Sequence, residues 1–192
     1  MSLQSFKATL TGVRPLLMHN GQMADPTNPM TRELKEFTKK KGKTDADHAE
    51  IKMLEWMAGL YRDDNGKIAI TEDMLLGCVI GGARAAKKGK QAQAGILGAQ
   101  PFFPLKFKGP ADPVDLFKTG KFCDYRLVVV NRMRIMRARP RFNQWSVDVE
   151  LHYEDSMLNE REVLAALTTA GTSVGLGDFR PRFGRFTVER AA

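Results

Sequence analysis

The stretch 158–177, LNEREVLAALTTAGTSVGLG, constrains the fold more than any other part of the chain. Asn159 stands where a helix N-cap belongs, and Glu162 three residues later completes a capping box, in which each side chain accepts a hydrogen bond from the backbone N–H of the other residue. Leu158 and Val163 take the positions of a hydrophobic staple. Gly175 and Gly177 stop the helix, because glycine reaches the left-handed backbone conformation at low cost. RFTVER, residues 185–190, then reads as a closing strand.

Upstream, residues 3–13 (LQSFKATLTGV) alternate apolar and polar side chains and read as a first strand. Gly21, Pro26, Asn28 and Pro29 make the next segment a loop. Residues 31–62 read as helix in two pieces, broken near Gly42, with Thr44 and Asp47 capping the second piece. Its apolar face would be Ile51, Leu54, Trp56, Met57 and Leu60. DDNG at 63–66 is a turn and KIAI at 67–70 a short strand. Thr71 can cap a helix through EDMLLGCVIGGARAAKK, where Gly77, Gly81 and Gly82 suit close packing against a neighbour. Residues 89–121 are rich in Gly, Pro and Lys and read as loops with short strands such as PLKFK. FCDYRLVVVNRMRIM and, after RARPRFNQ, WSVDVELHY are strand candidates.

With a helical insertion at 20–70 and a loop-rich insertion at 89–121 set aside, the order is strand, helix, strand, strand, helix, strand. This is an α+β class, a ferredoxin-like (RRM-like) βαββαβ core with a largely helical insertion after the first strand, read as one domain over 1–192. The open face of such a sheet is a common platform for nucleic acid.

Charge sharpens the expectation. The chain has 192 residues and a net charge of +8, a surplus that favours a polyanionic partner. Residues 118–141 hold eight basic side chains against the single acid Asp124. Arg132, Arg134, Arg137, Arg139 and Arg141 fall within ten residues, with no acid among them. Arginine forks grip phosphate oxygens bidentately, and Phe142 and Trp145 follow as stacking surfaces or as core. A second block, with Arg84, Lys87, Lys88 and Lys90, joins a helix end to a loop, where a helix dipole also favours cations. KEFTKKKGK at 35–43 is offset by neighbouring acids and reads as a solvated face.

The segment 175–186, GLGDFRPRFGRF, is the most specific local feature. Glycines would let backbone N–H groups approach a phosphate, which Arg180, Arg182 and Arg185 would hold. It follows a helix rather than a strand, so it is not a dinucleotide fingerprint. With Gly175, Gly177 and Gly184 in place, and Phe183 and Arg185 flanking the last, it resembles the C-terminal glycine-rich loop of the RAMP superfamily of CRISPR systems. That resemblance implies a ferredoxin-like core and a crRNA-binding, backbone-type subunit, or a stand-alone or phage-borne relative. It also implies that the insertion after the first strand grips guide RNA or a neighbouring subunit.

Other chemistries find no motif. Walker-type, G-x-S-x-G, H-E-x-x-H and paired C-x-x-C patterns are missing from the sequence, and neither a metal nor a cofactor is expected. Cys78 and Cys123 read as small buried hydrophobes in a cytoplasmic protein without signal peptide or membrane span. The expectation is a non-catalytic protein that binds single-stranded RNA or DNA through its phosphates. Its site would comprise Arg84, Lys87, Lys88, Lys90, Arg132, Arg134, Arg137, Arg139, Arg141, Trp145, Gly175, Gly177, Arg180, Arg182 and Arg185, with the open sheet face as part of the track. Homo-oligomers, or neighbouring subunits of a ribonucleoprotein, would line up along the strand. Two alternatives stand beside it. One is a metal-independent endoribonuclease in which His19, in a loop after the first strand, works with an arginine of 180–185. The other is a structural assembly subunit whose basic face meets an acidic protein.

Overall fold

Helix starts fall on the capping residues. In the computed structural model, which describes residues 2–191, Asn159 accepts from the Glu162 N–H while Glu162 accepts from the Asn159 N–H, each at 3.0 Å. Thr44 and Asp47 form a second reciprocal box, and Thr71 accepts from the Met74 N–H at 3.2 Å. The resulting elements are β1 (Leu3–Gly12), β2 (Leu16–Leu17), α1 (Pro29–Lys39), α2 (Asp45–Ala58), β3 (Ala69–Thr71), α3 (Glu72–Ala85), α4 (Gly89–Gly95), β4 (Ile96–Gly98), β5 (Phe102–Lys106), α5 (Pro113–Lys118), β6 (Cys123–Val130), β7 (Met133–Phe142), β8 (Ser146–Glu154), α6 (Glu160–Thr169) and β9 (Phe186–Arg190). The protein is α+β, with six α-helices and antiparallel sheets among the described residues.

Two expectations are corrected. The 89–121 stretch contains the short helices α4 and α5 as well as strands. Asp112 caps α5 by accepting from the Val114 and Asp115 N–H groups, and Pro113 opens it with a preset φ. The stretch 122–142 is a hairpin rather than one strand and a linker: β6 and β7 pair from Cys123↔Pro140 to Val130↔Met133. Asn131 and Arg132, with φ of 49° and 66°, make the two-residue turn, and RARPRF continues the ladder.

The chain divides into two compact units. The first takes the chain up to Leu16, Arg62–Lys108 and everything from Phe142. Its sheet has the order β3–β5–β8–β1–β9, with β4 also on β8. β1 is central, antiparallel to β8 from Leu3↔Glu154 to Thr11↔Ser146 and to β9 from Ala8↔Arg190 to Gly12↔Phe186. Alternation puts Phe6, Ala8, Leu10, Val147, Val149 and Leu151 on one buried face. Leu75, Val79, Val163 and Leu167 from α3 and α6 complete that core. Gly82 lets the helices touch, since a Cβ there would run into the Ala166 carbonyl oxygen.

The second unit is Leu17–Tyr61 with Gly109–Arg141. It joins α1, α2 and α5 to the β6–β7 hairpin, which the short strand at Leu17 extends on the β7 side. Trp56 is its anchor: fully buried, it donates its indole N–H to the Phe122 carbonyl at 2.7 Å and meets the Phe117 ring at 5.4 Å.

Asn159→Ala is expected to lower stability by about 1 kcal/mol, read as a lower urea midpoint, while Asn159→Asp retains most of it. The Glu162 carboxyl is held below its ordinary value by the Asn159 N–H and then by Lys88. Its contribution is therefore full above the unfolded-state value of about 4.3 and is lost as pH falls through the lower folded one. Glu162→Gln should flatten the fall of stability with acid, measured as urea midpoints from pH 6 to 2.5.

Candidate nucleic-acid interface

The arginine ladder is less bare than its local sequence suggests. Cross-strand pairing sets Arg137 opposite Arg126 and Arg139 opposite Asp124. α2 brings in a carboxylate that lies far away in sequence: Glu55, only 2% exposed, receives the Arg137 guanidinium on one oxygen and the Ala138 N–H, at 3.0 Å, on the other. Asp124, also buried, accepts from the Arg126 Nη2 at 2.6 Å and lies 3.7 Å from the Arg141 guanidinium. Arg137 is thereby neutralised within the fold and Arg141 shares the Asp124 carboxylate with Arg126, which corrects the expectation of five uncompensated arginines. Arg139 is half-buried beside Arg137 in one cavity. Arg132 and Arg134 remain exposed at the hairpin tip and form no ion pair among the described residues. Around them Leu127, Val129, Val130, Met133 and Met136 are exposed as well.

Trp145 does not stack on bases. It is 4% exposed, its ring fills the space beside Gly12, and its N–H is spent on the Arg14 carbonyl at 2.9 Å. Phe142 is fully buried and faces Phe107. Both are core residues of the first unit.

The second block sits at the end of α3. Arg84, Lys87 and Lys90 are exposed there, but the Lys88 ammonium reaches Glu162 at the start of α6, 3.2 Å away, and is a structural tie. α3 and α6 run antiparallel, since Lys88 meets Glu162 at one end while the Cys78 thiol donates to the Gly175 carbonyl, 3.2 Å away, toward the other. From Ala85, where α3 ends beside the block, back to Cys78, where it meets Gly175 at the base of the glycine-arginine loop, is about 10 Å along the helix axis, so the two lie toward opposite ends of the helix pair.

That loop is pinned at both ends. The Gly175 N–H goes to the Ala170 carbonyl and the Gly184 N–H to the Pro15 carbonyl, both at 2.8 Å, and Leu176 donates to Gly184. Gly175 and Gly184 have φ near +80° and +70°, and a Cβ on either would strike backbone. Gly175 thus serves backbone packing rather than phosphate contact, a correction, because its N–H is already used. Gly177, with φ of 76°, stays half-buried in the turn. Between the pins the chain turns outward: Phe179, Arg180 and Arg182 are exposed, while Arg185 is half-buried and donates its Nε–H to the Pro181 carbonyl at 2.8 Å. Phe179, unremarked in the sequence, holds φ of 54° beside those arginines. Its flanking by Asp178 and Arg180 was the available signal. Arg14, also exposed, donates its backbone N–H to the Arg185 carbonyl at 3.2 Å.

The outward sheet face lacks the chemistry expected of it. β1 and β8 present Ser5, Lys7, Thr9, Asp148 and Glu150 there, with no Phe, Tyr or Trp at the outward positions of these two strands. Lys106 and Thr9 bond Asp148, and Ser5 and Lys7 bond Glu150, which holds both carboxyls below their ordinary range. Paired in this way, these positions offer neither an unpaired cation nor an aromatic ring, the features expected of a nucleic-acid platform.

His19 is exposed and accepts from the Tyr61 hydroxyl through its carbonyl at 3.0 Å. It lies in the second unit, whereas Arg180, Arg182 and Arg185 belong to the first; its cavity neighbours are Arg137 and Arg139. Among the described residues, no group of three or more His, Cys, Asp or Glu side chains is arranged to hold a metal ion, and no helix is long and apolar enough to cross a membrane. No protein-family model matches the chain, and no curated protein matches it in sequence.

Arg137→Ala should cost about 2 to 3 kcal/mol of stability, because it strands the buried Glu55 carboxylate. Replacing both Glu55 and Arg137 with leucine should recover much of that loss, read by urea titration as a double-mutant cycle. Burial pushes the Cys78 thiol up to about 12, partly opposed by Arg180. It therefore stays protonated at pH 8, and a thiol-disulfide reagent should label Cys78 only after unfolding.

Proposed function

We propose that this protein binds single-stranded nucleic acid, RNA being the expected strand, mainly through its phosphates and without cleaving it. One observation carries the reading: two exposed tips each hold a pair of arginines that form no ion pair among the described residues. Arg132 and Arg134 crown the β6–β7 hairpin, and Arg180 and Arg182 stand on the loop between α6 and β9. At each tip a bulky residue, Arg132 or Phe179, occupies the left-handed region that favours glycine. Such conformations cost about 1 to 3 kcal/mol, so a residue kept there at the expense of stability points to use outside the fold. Phe179 gives a ring for base stacking, and the exposed apolar side chains of the hairpin suit bases or a neighbouring subunit.

A finer assignment accompanies this. The order β5–β8–β1–β9, antiparallel throughout, with α3 and α6 packed together, agrees with a ferredoxin-like βαββαβ core. The position of the 175–186 loop between the last helix and the last strand supports kinship with the RAMP superfamily. In that setting copies of the chain, or ribonucleoprotein neighbours, would repeat along the strand.

Fluorescence polarisation with single-stranded oligonucleotides across a salt series tests the reading. Affinity should fall steeply with salt, and Arg180→Ala with Arg182→Ala should reduce the slope of log K against log salt by about 1 to 2, the number of phosphate contacts removed. Arg132→Gly relieves the strained turn, so it should leave stability equal or higher while weakening binding to all sequences alike. Absence of binding at low salt, or unchanged affinity in all these variants, would sink the proposal.

A further inference from the structure

β6 is the outer strand of the three-stranded sheet: β7 pairs with it on one side and, among the described residues, no strand lies on the other. In an antiparallel pair, opposite residues alternate between exchanging both backbone hydrogen bonds and exchanging none. The Arg141 N–H donates to the Phe122 carbonyl at 2.8 Å, which sets the phase of the ladder. Tyr125, Leu127 and Val129 then fall at unbonded pairs, so their N–H and C=O groups point to the free edge. Two contacts on the far side of β7 agree with this phase. The Ala138 N–H, opposite Tyr125, goes to Glu55, and the Pro140 carbonyl, opposite Cys123, accepts from the Met18 N–H. The edge lacks the proline, lysine and bulge that keep a strand from pairing with another chain: Cys123–Val130 contains neither residue, and its register with β7 is unbroken. Its one cation, Arg126, is bonded to Asp124. Tyr125, Leu127 and Val129 are 45%, 54% and 68% exposed.

We propose that β6 pairs antiparallel with β6 of a second copy across a twofold axis, joining the two three-stranded sheets edge to edge. The residue types fix the centre of the pairing. About Leu127, Tyr125 faces Val129 of the second copy, an aromatic and β-branched pair, and Leu127 faces its own equivalent. All three are edge-directed, so their backbone groups bond one another. Centring on Arg126 would set two guanidinium groups opposite each other. Centring on Tyr125 would set Val129 against Lys121, outside the strand, and centring on Val128 would set Tyr125 against the turn at Asn131. A second copy thus supplies an edge of matching length, phase and apolar side chains, with no charge facing its like. Residues 124–130 make an edge about 24 Å long. Pairing it buries on the order of 1,000 Å² over both copies, the low end of specific interfaces, so the dimer is weak and reversible. The inference is independent of the single-strand reading and leaves Arg132 and Arg134 outside the paired strands.

Analytical ultracentrifugation of the nuclease-treated full chain at high salt provides the test. Between about 1 and about 500 µM the average mass should climb from one chain toward two. Leu127→Pro removes an N–H that faces the free edge and none that bonds β7. Its circular dichroism spectrum should therefore match wild type while association weakens at least about tenfold. If that variant does not fold, Leu127→Lys, which sets two ammonium groups opposite each other, should have the same effect. The register has its own readout in chains carrying Cys123→Ser. Leu127→Cys puts two thiols at equivalent positions and should cross-link under a mild oxidant several-fold faster than Val129→Cys, which faces Tyr125. A chain that stays monomeric over the whole range, as it would if the edge took a strand from a different protein, overturns the proposal. So does undiminished association in the folded variants, which places the contact elsewhere, or equal cross-linking of the two cysteine variants. Dimers present only before nuclease treatment are bridged by nucleic acid and overturn it as well.

Discussion

The first unit depends on how closely α3 approaches α6. Gly82 sits against the Ala166 carbonyl and Ala170, where any side chain would wedge the helices apart. That closeness has consequences along the whole pair. It lets Leu75, Val79, Val163 and Leu167 fill the layer above β1 and β8, and it carries Cys78 to the Gly175 carbonyl. Gly175 is thereby held where the chain leaves the helical layer. Gly184, tied to Pro15, holds the return. Between two fixed ends, Phe179 through Arg182 have nowhere to go but outward. The exposed arginines of this loop are a product of glycine packing beneath them.

In the second unit one carboxylate has the comparable role. Glu55 is taken out of water on α2 and meets both a guanidinium and a backbone N–H of β7. A buried carboxylate is costly unless both oxygens are engaged, so the hairpin is held in a single register against the helix. The same contact divides the arginine ladder. Arg137 is committed to the fold, and Arg132 and Arg134, beyond its reach, are left for solvent. Asp124 makes a similar division between Arg126 and Arg141 on one side and the tip on the other.

The legible parts of the chain were those whose signals act over a few residues. The Asn159 and Thr44 boxes, the Thr71 cap, the break near Gly42 and the alternation in β1 and β8 all involve neighbours no more than four residues apart. The hairpin is not legible locally because Asn131-Arg132 lacks the glycine that usually marks a two-residue turn. α4 carries no local signal, since Gly89 and Gly95 frame a seven-residue helix with no side-chain cap. Site residues failed in the same way. Trp145 reads equally well as a stacking ring or as core until Gly12 is seen beneath it, 133 positions earlier in the chain. For Phe179 the charged neighbours Asp178 and Arg180 hint at exposure, but only the fold shows the ring to be on the outside of the loop.

By itself the sequence determined the α+β class, most helix boundaries, the polarisation of positive charge and the glycine-arginine loop as a turn between helix and strand. These follow from hydrogen bonds and periodicities confined to short windows. Only the tertiary structure decided which cations are available. Neutralising partners such as Glu55, 82 residues from Arg137, are brought in by packing, and burial depends on the whole fold. The separation of the α3 basic cluster from the loop, the self-neutralised sheet face and the cavity shared by His19, Arg137 and Arg139 belong to that second kind. Each arises where distant segments meet, and charge counted along the chain carries no information about such meetings.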